Sequence, residues 1–135
     1  MNLNEVYHVV SAYRRFNQYL KCYNVLGCQM SAKSLKALKI ITAYRDTDRF
    51  PMTIKDLRKE LRDDAHYTSK IMNRLRDQGL VEKERKVNDE RTVYILMSKK
   101  QYYKAMSVIQ ESQHIFDVAW KLSLIHISEP TRQAE

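Results

Sequence analysis

The sequence predicts a mainly α-helical domain carrying one small β-hairpin, and three observations support that expectation. Only two Gly and two Pro occur in 135 residues, so few positions interrupt a helix. Apolar residues recur at three- and four-residue spacing through most of the chain, whereas strict alternation is confined to Arg91–Met97. Apolar residues make up 44% of the chain, enough for the core of one domain of this length.

Met1–Tyr23 is expected to form the first helix, with Leu3, Val6, Val10, Tyr13, Leu20 and Tyr23 on one stripe and Val9, Phe16 and Tyr19 on an adjoining one. That face is wider than one core needs, which suits either ordinary burial or packing on a second copy of the chain. Asn24–Met30, with Gly27, reads as a connection. Ser31 is the expected N-cap of a second helix running to about Tyr44, with Leu35, Leu38, Ile40, Ile41 and Tyr44 inward.

Thr53 is expected to cap a short helix with Ile54, Leu57 and Leu61 inward and Asp56 near its positive end. Asp63–Asp64 should break it and cap Ala65–Gln78, whose Thr68, Ile71, Met72 and Leu75 point inward before Gly79 ends it. Two short helices joined by a tight turn predict a helix-turn-helix. Leu80–Arg85 and Arg91–Met97 are the two strand-like runs, joined by Lys86–Glu90 with Asn88-Asp89 at the turn. Ser98 and Gln101 form a capping box for a long last helix, with Tyr102, Met106, Ile109, Gln113, Phe116 and Trp120 as its stripe. The resulting order is a winged helix-turn-helix flanked by N- and C-terminal helices.

Leu122–Arg132, LSLIHISEPTR, resembles one translated frame of the adapter used to prepare sequencing libraries. Residues 1–121 are therefore expected to form the domain, and 122–135 a non-native tail. The tail carries one Arg and two Glu, so the basic character belongs to the residues before it.

The net charge of +8 suits a polyanionic partner, with double-stranded DNA first among them. The glycine content excludes a phosphate-cradling loop, which needs several glycines at fixed spacing. No apolar run approaches the ~20 residues of a membrane span, and Met1–Val10 lacks the features of a signal peptide, so a cytoplasmic protein without membrane contact is expected. Cys22 and Cys28 are too few for a disulfide framework and lie too far apart for the usual zinc spacings. They read as thiols without function, with a redox or metal switch as the alternative, and no metal site or cofactor is expected.

Helix Ala65–Gln78 presents His66, Tyr67, Ser69, Lys70, Asn73 and Arg74 outward, hydrogen-bonding side chains of a length suited to base edges in a major groove. Lys70 and Arg74 also suit a merely solvated face. In the hairpin, Lys83, Arg85, Lys86 and Arg91 are expected to converge at a tip built by Asn88, Asp89 and Glu90. A narrow Arg-bearing loop is what enters a minor groove, most favourably over A·T-rich sequence. Asp89 or Glu90 would then hold the Arg91 guanidinium in place or cap the turn.

The stretch Gln78–Met97, QGLVEKERKVNDERTVYILM, closely resembles the wing of the MarR superfamily, and Asp89–Val93 within it is similar to the staphylococcal accessory regulator (SarA) branch. Met97-Ser98 stands where the superfamily usually has Leu-Thr, and Gln101 where many members have Gly. The likeness in helix order covers Met1–Lys121. The resemblance implies that Arg85 and Arg91 are wing arginines that meet DNA, that Asp89 orients the second, and that the first and last helices form a homodimer. It also implies a transcriptional regulator of virulence or exoprotein genes rather than an enzyme. Redox-sensing members carry their cysteine near the start of the first helix, where this chain has Val6–Val9. Two alternatives use the same residues: a winged-helix replication factor or protein-interaction module, and a metal-dependent nuclease built on Asp63, Asp64, Asp89 and Glu90.

Overall fold

The computed structural model describes residues 1–62, 65–86 and 89–127. The expected cap at Asp63–Asp64, Asn88 in the hairpin turn and the end of the tail lie outside those residues. The elements follow the expected order: α1 (Leu3–Cys22), α2 (Ala32–Arg45), β1 (Met52–Thr53), α3 (Ile54–Leu61), α4 (Ala65–Asp77), β2 (Glu82–Lys86), β3 (Asp89–Leu96) and α5 (Lys99–Ile127). They divide into two compact units, Met1–Ala32 with Gln110–Glu135, and Lys33–Ile109.

In the first unit, Asn2 caps α1 by accepting from the Glu5 backbone N–H at 2.9 Å. The buried residues of α1 are His8, Ala12, Phe16 and Leu20, a single row at four-residue spacing. Leu3, Val6, Val9, Val10, Tyr13 and Tyr23 are exposed, so the expected apolar stripe is corrected to a narrower one. Small Ala12 and a satisfied His8 share this row with Phe16 and Leu20, so a row mixed in size and polarity is buried rather than the largest apolar side chains. His8 Nε2 donates to the Trp120 carbonyl at 3.0 Å, and its ring lies 3.7 Å from that of Trp120. Phe16 meets Phe116 edge-on at 5.4 Å, a geometry worth about 0.5–1.5 kcal/mol beyond area burial.

The α5 stripe is corrected in the same way. Ala105, Val108, Ser112, Ala119 and Ser123 are buried, whereas Met106 and Trp120 stand at the surface. The helix runs past Lys121 to Ile127, and Ser11 Oγ donates to Ser123 Oγ at 3.3 Å. Between α1 and α2, Val25 and Cys28 exchange two 2.9 Å backbone hydrogen bonds around Leu26 and Gly27, both at positive φ. The Asn17 side chain accepts from the Ala32 backbone N–H, the first of α2.

In the second unit, α2 buries Ser34, Leu35, Ala37, Leu38, Ile41 and Thr42. Tyr44 and Ile40 are only half-buried, and the Tyr44 hydroxyl reaches Glu60 of α3 at 2.8 Å. Thr53 and Asp56 form the capping box of α3, each side chain accepting from the other's backbone N–H at 3.1 Å. Arg62 ends α3 in the left-handed region, with φ 55°. Leu57 is fully buried between these ends, and cutting it to Ala would cost about 2–5 kcal/mol.

Helix α4 closes as expected at Gly79, with φ 76°. Gly79 N–H donates to Arg76 and Leu80 N–H to Leu75, the paired bonds of a Schellman cap. The Lys104 ammonium donates to the Gln78 carbonyl at 2.9 Å, a cation at the negative end of the helix. The sheet adds one strand to the expected hairpin: β1 pairs antiparallel with β3, Met52 opposite Ile95, giving the order β1-β3-β2. Ser98 and Gln101 form the second expected capping box, at the start of α5.

Candidate nucleic-acid interface

Thr68, Ile71, Met72 and Leu75 are buried, which fixes the rotation of α4. His66, Lys70, Asn73 and Arg74 are consequently exposed, as expected. Tyr67 is also exposed, and the Lys33 ammonium sits 4.1 Å from its ring centre. Ser69 is half-buried, because it faces a cleft rather than open solvent.

That cleft, about 530 Å³, is lined by Thr53, Ile54, Lys55 and Arg58 of the β1–α3 segment, Ser69 of α4, and Arg91, Thr92 and Val93 of β3. It unites the helix-turn-helix with the wing, and Lys55, Arg58 and Arg91 give it three cations. Lys55 and Arg58 are not among the residues expected from the sequence. Their signal is their spacing on α3, off the row of Leu57 and Leu61.

The wing differs from the expected convergence at its tip. Arg85 is exposed opposite Val93, but Lys83 lies two residues further from the turn, opposite Ile95. Its ammonium donates to Asn73 Oδ1 of α4 instead of joining Arg91. Burial, followed by the charges of Arg76 and Arg85, holds the Lys83 amine below the usual lysine value. Arg91 is exposed. The side chains of Lys86, Asp89 and Glu90 lie outside what the structure describes, and so does their expected contact with Arg91.

Cys22 is exposed, Cys28 is buried, and both are free thiols. Among the described residues no group of three His, Cys, Asp or Glu could hold a metal ion. No helix of the described residues is long and apolar enough to cross a membrane.

The chain is similar to several solved winged-helix regulators. It shares 14% identity with MepR, a transcription regulator of the Staphylococcus aureus multidrug efflux pump MepA, at a TM-score of 0.61 over 99% of this chain and 90% of that one. The S. aureus MepR–DNA complex matches at 15% identity, TM-score 0.60 and the same coverage. A probable transcriptional regulator from Pseudomonas aeruginosa matches at 17% identity and TM-score 0.64, covering 93% and 89%. These likenesses show the winged-helix fold. Among curated sequences, the uncharacterized HTH-type transcriptional regulator YwhA of Bacillus subtilis (strain 168) is 35% identical over 65 residues. That match covers 48% of this chain, which spans about half the length of that relative. The family and its structural neighbours are transcription regulators, not enzymes. The model of the transcriptional regulator SarA/Rot family matches residues 15–108, so the chain belongs to the SarA/Rot family of transcriptional regulators.

Proposed function

We propose that the protein acts in the cytoplasm as a homodimer that binds A·T-rich duplex DNA and regulates virulence or exoprotein genes. The observation that carries this reading is the cleft in which Ser69 of α4 and Arg91 of the wing face one space together with Lys55 and Arg58. Elements so arranged act on one polyanion. Helix α4 offers the major groove His66, Lys70, Asn73 and Arg74, with Tyr67 and Ser69 at its edges. Arg91 reaches for the minor groove, where narrow A·T tracts hold the strongest negative potential.

The DNA complex of the MepR relative supports duplex DNA as the ligand. Exposed apolar side chains support the dimer: Leu3, Val6, Tyr7 and Val10 on α1, and Val118 on α5. Titration of A·T-rich and G·C-rich duplexes, with sedimentation equilibrium at micromolar protein, tests both parts. Equal affinity for the two duplexes removes the A·T preference, and a monomer at those concentrations removes the dimer.

A further inference from the structure

Lys83 stands opposite fully buried Ile95, and directly opposed residues of an antiparallel pair share a face of the sheet. Its stem therefore leaves the strand on the core side. The ammonium emerges at the exposed row of α4, where it donates to Asn73 Oδ1. Arg76 and Arg85 act on that ammonium as like charges and Asp77 as an opposite one, and the cation next to Asn73 Oδ1 is Lys83 itself.

An asparagine with an unengaged amide pairs with adenine by accepting from N6 and donating to N7. In this protein the accepting atom already serves Lys83. The amide oxygen keeps a second lone pair, but a cation beside it opposes the approach of the N6 hydrogens. The two Nδ2 hydrogens remain for donation, and the ammonium carries further hydrogens of its own.

We propose that Lys83 is a specificity-setting positioning residue, which by holding Asn73 Oδ1 restricts Asn73 to donating hydrogen bonds to DNA. Base edges that present only acceptors in the major groove, guanine O6 and N7 or thymine O4, are then favoured over adenine at the position Asn73 meets. The inference rests on α4 being the helix that reads the major groove.

Lys83→Met tests it, because Met keeps the apolar stem and removes the donor. In DNA-free protein, the Asn73 side-chain amide resonance, identified by its loss in Asn73→Ala, is expected to shift in Lys83→Met. On a pool of randomised duplexes, the wild type is expected to enrich guanine or thymine at the position where Asn73→Ala becomes indifferent. Lys83→Met is expected to raise adenine over guanine there by about fivefold or more, the lower end of what a bidentate pair discriminates.

An unchanged amide resonance overturns the inference and leaves the reading of α4 intact. A uniform loss of affinity in Lys83→Met, with base preference unchanged, does the same and makes Lys83 a phosphate contact. Indifference of every position to Asn73→Ala overturns both the inference and the base-reading role of Asn73. Failure of the wild type to bind any duplex overturns the proposed function itself.

Discussion

Arg85 lies opposite Val93, yet the next residue of β2, Lys86, lies opposite Asp89, so the register of the two strands shifts between Arg85 and Lys86 as at a β-bulge. This bulge falls in the segment that carries Arg91. Bulges re-aim a side chain out of the plain alternation of a strand. The two wing arginines are consequently presented differently, Arg85 from regular pairing and Arg91 from the bulge. Arg91→Ala is expected to weaken binding to an A·T-rich duplex by about 1.5–3 kcal/mol, the size of a hydrogen bond to a charged group, and to matter less on a G·C-rich one. Arg85→Ala is expected to weaken both duplexes and to lower the slope of log K against log salt by about one unit. Titrations at two salt concentrations decide between them, and unchanged A·T affinity in folded Arg91→Ala would refute the minor-groove role.

The dimer prediction turns on α1. Val10 is 42% exposed and lies in a groove with Tyr7, Arg14 and Arg15. A charge there leaves the buried row of His8, Ala12, Phe16 and Leu20 untouched. Val10→Asp is expected to dissociate the dimer at micromolar concentration while folding stability moves by no more than about 0.5 kcal/mol. Affinity for a two-half-site duplex should fall with it, because each monomer then binds a half-site alone. A sedimenting dimer of Val10→Asp would place the interface elsewhere.

Much of this architecture was legible because local chemistry fixes it. Thr53 with Asp56, Ser98 with Gln101, and Gly79 each satisfy backbone groups within a few residues, so the signals are contained in short stretches of sequence. The buried rows of α1 and α5 were not legible, since periodicity in large apolar residues does not reveal that small ones, Ala12, Ala105, Ser112, Ala119 and Ser123, face inward. Strand β1 is two residues long and owes its existence to β3, which no local pattern reports. At the candidate interface, α4 was legible from its Gly79 cap and its buried row. The Lys83 contact with Asn73 and the shared cleft of Lys55, Arg58 and Arg91 depend on tertiary approach.

The capping box of α3 gives a stability test. Thr53 satisfies the Asp56 backbone N–H and Asp56 returns the bond, while Thr53 also pairs with Tyr94 across the sheet. Thr53→Ala is expected to cost about 0.5–2 kcal/mol in chemical denaturation. Because Thr53 also lines the cleft, duplex affinity should be compared at a temperature where the variant is fully folded. A variant as stable as the wild type would mean that solvent replaces the cap without loss.

Two tyrosines predict the alkaline limit of the fold. The hydrogen bond to Glu60 is the first cause that raises Tyr44, and burial, then the bond to Asp46, raises Tyr102. Both phenols thus favour the neutral form when folded, relative to the ordinary value of 10.0. Their contribution is fully present below that value and is lost as pH rises through the raised folded values. Melting temperature is expected to fall less steeply above pH about 10 in Tyr44→Phe than in the wild type. Parallel curves for the two proteins would show that the Glu60 bond is not felt by the fold.

The last turns of α5 give the final test. We propose that 122–135 is a non-native tail, although α5 continues through Ile127 and buries Ser123. Leu122, Leu124 and Ile125 are 38–55% exposed, so the apolar side chains of the segment are only partly buried within one chain. Among the bonds that truncation after Lys121 removes is Ser11 to Ser123 at 3.3 Å, a long contact between two hydroxyls. Its loss is expected to cost no more than about 1 kcal/mol, and duplex affinity should be unchanged because the wing, α4 and the cleft lie within Lys33–Ile109. Comparing the full chain with 1–121 by denaturation, sedimentation and duplex titration separates the outcomes. A destabilisation of several kcal/mol, or a dimer that forms only with the tail present, would establish that Leu122–Ile127 belongs to the working fold.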